Sequence, residues 1–109
     1  MYEVEISQFG DDVYSSKVEF GDQRLKLKLQ LESLPRIGET FRFFGDADVG
    51  VLMSGQVTEV THAYTTRGLL SYFISITDAP QRHFDAVVSG GKGKLPDCFF
   101  LPSNPNHYS

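Results

Sequence analysis

The run Arg24–Glu32, RLKLKLQLE, alternates without a break. Leu25, Leu27, Leu29 and Leu31 fall on one side, and Arg24, Lys26, Lys28, Gln30 and Glu32 on the other. That is the two-residue period of a strand. One face is dry and the other wet, as in antiparallel sheets. A slip of one residue would expose all four leucines, so the pairing of this strand is strongly specified.

The same period recurs on either side. Tyr2, Val4 and Ile6 alternate with Glu3, Glu5 and Ser7, and QFGDD then reads as a turn. A strand over 13–20 follows, with Tyr14, Val18 and Phe20 on one face. SLPRIGE is a turn, in which Pro35 presets one backbone angle and Gly38 permits a conformation other residues resist. Thr40–Phe44 is a short aromatic strand, and GDADVG is a loop. Val51–Tyr64 is long, and Gly55 inside it marks a bulge or bend. In LLSYFISIT, Tyr72, Ile74 and Ile76 share one face, and Phe73 and Ser75 the other. About six strands joined by short connections favour hairpins and meanders. They predict a mainly β fold, a small antiparallel barrel or roll that protects its edges by curling.

After residue 78 the pattern changes. Asp78, Pro80 and Gln81 have the spacing of a capping box, and Phe84, Val87 and Val88 fall on one helical face. Gly90 stands where a C-terminal cap belongs. The spacing predicts a short helix near 79–89; a strand with Phe84, Ala86 and Val88 on one face is the competing reading. Residues 91–109 hold three of the five prolines and read as an extended Gly/Pro-rich tail, anchored by Phe99, Phe100 and Leu101. The organisation expected is a β-rich domain over 1–90, with this tail packed on it or on a partner subunit.

Length and composition narrow the function. The 109 residues suffice for one domain with a core of its own, rich in Phe and Tyr. Cys98 is the single cysteine, which fits a reducing, cytoplasmic setting. The acidic, alternating N-terminus has no basic and apolar leader pattern. No apolar run approaches the length of a membrane helix. Residues 1–22 carry Glu3, Glu5, Asp11, Asp12, Glu19 and Asp22 against Lys17, a charge of −5 within a total of −4. This acidic patch disfavours nucleic acid, whose binding rests on neutralised phosphates. It suits a basic protein surface.

No motif for catalysis, a metal or a cofactor emerges. SGGKGKLP resembles a phosphate loop, but Leu95 follows Gly93–Lys94 where Ser or Thr is needed, and Val88 stands where the first glycine belongs. Its place after a helix sets the negative dipole end toward any anion. DADVG lacks the later ligands of a calcium loop, having Val51 and Val57 at the glycine and glutamate positions. His62, His83, Cys98 and His107 are 21, 15 and 9 residues apart, which is no local chelating pair. A Cys98–His83 nucleophile pair has no recognisable oxyanion hole or helix N-terminus in PDCFFLP to support it. Arg24, Lys26 and Lys28 form a basic stripe, read as the guard of an edge strand.

The run LPRIGETFRF with GQVTEVTHAY and YFISIT resembles small SH3-like or OB-like barrels in architecture. That likeness implies a fold and carries no site. The reading that remains is a small non-catalytic protein-binding module, self-associating as a homodimer, with Phe99, Phe100 and Leu101 at its interface. One alternative is an inhibitor or immunity-type protein whose acidic patch blocks a basic site. Another is a ligand-binding barrel or enzyme with His62, Tyr64 and Arg67 at its mouth.

Overall fold

The computed structural model describes residues 1–11, 24–45, 50–90 and 95–101. These form β1 (Tyr2–Gln8), β2 (Leu25–Leu31), β3 (Thr40–Phe44), β4 (Val51–Thr65), β5 (Gly68–Ile76), α1 (Gln81–Gly90) and β6 (Phe99–Phe100). The strands build one curled sheet in the order β3-β4-β5-β1-β2-β6, a half-barrel, with one short helix. The mainly β class expected from the alternation is the class adopted. The strand read over 13–20 lies outside the described residues.

The four leucines of β2 all face inward, and Leu25 and Leu27 are fully buried against Val4 and Ile6 of β1. The register pairs Ile6 with Leu27 and Val4 with Leu29, so the two alternating patterns superimpose. β5 presents Tyr72, Ile74 and Ile76 to the same interior. Its pairing with β1 is parallel, Val4 beside Tyr72 and Ile6 beside Ile74. The other four pairings among the described strands are antiparallel, in keeping with hairpin-rich connections. β2 is not an edge strand, because β6 pairs with it at Lys26 and Leu27. The lysine stripe therefore does not guard a sheet edge. The two terminal strands approach each other across the core, where the rings of Phe43 and Phe99 lie 6.4 Å apart and nearly parallel.

β4 departs from strict alternation, since Leu52 and Met53 are both buried and the inward positions change from Val57 to Val60. The register explains both. Leu52 is an extra residue between the pairs Phe43–Met53 and Phe44–Val51. Thr58 is an extra residue between Val57–Ile76 and Glu59–Ser75. Each bulge shifts the side-chain phase by one. Gly55, between them, is pressed against β5's exit: a Cβ there would stand 2.6 Å from Thr77 Oγ1. Nearby, the buried Gln8 side chain spans the parting strands, and its Nε2 donates to Ser54 O at 2.8 Å and Thr77 O at 2.7 Å.

The helix replaces the competing strand, but it begins two residues later than its cap signal implied. Residues 77–80 stay extended because Ala79 is bonded on both sides to the end of β1: its N–H donates to Phe9 O, and its carbonyl accepts from Asp11 N–H. The first helical bond runs from Phe84 N–H to Pro80 O. The capping carboxylate comes from Asp11, whose Oδ1 accepts the Gln81 N–H at 2.8 Å. Asp78 does not serve. Replacing Asp11 with alanine should therefore cost about 0.5–2 kcal/mol, while Asp78→Ala stays within about 0.5 kcal/mol. Urea denaturation of the two variants checks this, and a reversed order would return the cap to Asp78.

Candidate protein-interaction surface

Alternation sends every second residue of β5, β1 and β2 to the outer face of the sheet. The register sets them in rows. Phe73 lies beside Glu5, and Glu5 beside Lys28. Glu3 lies beside Gln30, and Ser7 beside Lys26. Lys26 in turn stands opposite Phe100 of β6. A cleft of about 490 Å³ runs over this face, lined chiefly by Glu3, Glu5, Lys28, Gln30, Leu70 and Phe73. Leu70 is the extra residue of a further bulge, between the pairs Ala63–Ser71 and Tyr64–Leu69.

The polar groups of this face are unevenly engaged. Gln30 Nε2 donates to Glu3 Oε1 at 3.5 Å, and Ser71 Oγ donates to Glu3 O at 3.3 Å. Glu5 and Lys28 are directly opposite but form no ion pair with each other. The Lys28 ammonium instead sits 5.2 Å from the centroid of Phe100, a cation–π distance. Phe73 is 36% exposed and Phe100 41%, large apolar rings at the two ends of a charged centre.

The expected interface residues are thus divided. Phe99 is buried in the chain's own core, with its N–H on Pro96 O and its ring on Phe43. Leu101 is half-buried and packs against that core. Phe100 alone of the three turns its ring outward. Of the acidic patch, Glu3 and Glu5 lie on the outer face, and Asp11 is engaged by the helix. Asp12, Glu19 and Asp22 lie outside the described residues, as do 46–49, 91–94 and His107, on which the calcium-loop, phosphate-loop and metal readings depended.

His62, Tyr64 and Arg67 each have their own surroundings. His62 packs edge-on against Tyr72 at 4.8 Å, and Tyr72 against Tyr2 at 5.4 Å, an aromatic chain on the inner side of the sheet. Tyr64 is 67% exposed, and Arg67 occupies the β4–β5 turn, its N–H donating to Thr65 Oγ1. His83 Nε2 lies 3.3 Å from Leu52 O, and Cys98 packs half-buried on the core. Among the described residues no three His, Cys, Asp or Glu side chains gather as a metal site. Among the described residues no helix is long and apolar enough to cross a membrane.

Phe73 is the residue that sequence reasoning passed over. Its outward position was legible from alternation with Tyr72 and Ile74. Its neighbours Glu5 and Lys28 were not, because they follow from a parallel pairing of segments far apart in the chain. Compared with protein-family models, curated proteins and solved structures, the chain matches none.

Proposed function

We propose that this chain is a small, non-catalytic protein-binding module that docks through the outer face of β5, β1, β2 and β6. The supporting observation is the row Phe73–Glu5–Lys28 with Phe100 beside it, two exposed aromatic rings bracketing opposite charges that do not pair with each other. Exposed aromatic anchors with polar neighbours are what protein interfaces concentrate. The face is bipolar, since Lys28 stands among its carboxylates. That favours a mixed protein surface over a purely basic one, and so favours docking over an acidic plug. Cys98, the single cysteine, agrees with a reducing, cytoplasmic setting.

The test is a photo-crosslinking residue at Ser75, which lies on this face, compared with one at Thr66 in the β4–β5 turn. The expected result is a discrete protein adduct in host cells from position 75 and none from position 66. Adducts from both positions alike, or from neither, would remove the outer face as the docking surface.

A further inference from the structure

The boundary between β1 and β2 has β5 next on one side and the short β6 next on the other. Resting on the docking face proposed above, we infer that its occupant is a second copy of this chain, placed face to face about a two-fold axis. The axis runs parallel to the strands, between β1 and β2.

The charges select this arrangement. A two-fold axis along the strands lays one protomer's β1 over its partner's β2. Glu5 then faces Lys28 of the partner subunit, and Lys28 faces Glu5 of the partner subunit. The same rotation sets Glu3 against Gln30 of the partner subunit. An in-plane axis across the strands would instead stack β1 on β1, Glu5 on Glu5 and Lys28 on Lys28. Like charges so placed oppose association. A two-fold interface must be complementary to itself, and the strand-parallel axis makes it so.

The aromatic rings follow the same symmetry. β5 and β6 lie equally far from the axis, about 7 Å at the usual strand spacing of roughly 4.8 Å. One protomer's β5 therefore covers its partner's β6, which brings Phe73 toward Phe100 of the partner subunit. Phe73 is level with Glu5 and Lys28, and Phe100 with Lys26, one alternate residue along. That is a diagonal step, within reach of aromatic side chains. The Lys28 ammonium is withdrawn from the Glu5 of its own chain, which leaves each Glu5 open to a charge from outside.

The test uses charge reversal in the full chain, read by sedimentation velocity at low salt. The wild type sediments as a homodimer. Glu5→Lys sets two lysines together in both halves of the interface, and Lys28→Glu sets two acids together, so each variant alone sediments as a monomer. An equimolar mixture of the two restores opposite charges at both contacts and gives a one-to-one heterodimer. A monomeric wild type, a reversal variant that remains dimeric, or a mixture that stays monomeric would each overturn the proposal. Should a reversal fail to fold by circular dichroism, Glu5→Gln and Lys28→Gln replace it. Each neutral variant is expected to weaken the dimer at least about tenfold, and an unchanged dissociation constant overturns the arrangement. The crosslink at Ser75 separates the two levels. An adduct with a different protein keeps the docking face and removes the second copy as its occupant.

Discussion

Truncation of Phe84 to alanine is expected to lower stability by about 3–5 kcal/mol, the usual cost of removing a buried phenylalanine. Phe84 is fully buried, and with Val87 it carries the buried face of α1. Its ring lies against the end of β1: a Cβ on Gly10 would come within 3.0 Å of Phe84 Cγ. That contact joins α1 to the segment that caps it, because Asp11 follows Gly10 directly. The loss would therefore loosen packing and cap together. In a domain whose whole stability is of the order of 5–15 kcal/mol, the change takes a large share. The midpoint of thermal unfolding should fall by roughly 15–30 °C. Arg82→Ala, on the exposed side of the same helix, serves as the control and should stay within about 0.5 kcal/mol. A loss below about 1 kcal/mol for Phe84→Ala would mean that α1 does not close the core as described.

The second large effect is expected at Gln8. Its side chain is 1% exposed and donates from one nitrogen to two backbone carbonyls. Gln8→Leu keeps the bulk and removes both donors. Each carbonyl left without its donor costs about 1–3 kcal/mol. Against this, leucine removes Gln8 Oε1, a buried acceptor without a partner among the described residues. The net loss should be about 2–3 kcal/mol, with amide exchange faster around Ser54 and Thr77 than in β2. Uniform acceleration across the sheet, or no loss of stability, would count against a bridging role for Gln8.

Legibility in the sequence followed the range of the interaction. β1, β2 and β5 were readable almost to the residue, because one pleated surface imposes one period and Val4, Leu27 and Ile74 obey it. β4 was readable as a strand but not in phase, since the bulges at Leu52 and Thr58 each invert the inward face. The helix was visible in Phe84, Val87 and Val88. Its true cap was not, because Asp11 lies 70 residues from Gln81. The same limit governed the candidate site. Glu3, Glu5, Lys28 and Phe100 each drew notice for charge or aromaticity. Only the register of β5 on β1 and of β6 on β2 assembles them with Phe73 on one face. Local periodicity states which way a side chain points, and strand order states whom it meets.

The parallel contact of β1 with β5 has a consequence for how the chain is made. Val4 pairs with Tyr72, so the first strand must wait for a segment synthesised 68 residues later. At a translation rate of about 5–20 residues per second, that is roughly 3–14 s during which one side of the nascent β1 has no native neighbour. Among the described strands β2 is the one that pairs with β1 in the interval, on its other edge, through Ile6 with Leu27 and Val4 with Leu29. Slow ribosome transit through residues 32–72 would lengthen that exposure. Chaperone demand during synthesis should therefore rise with codon choice in this stretch, while the finished protein's stability stays the same.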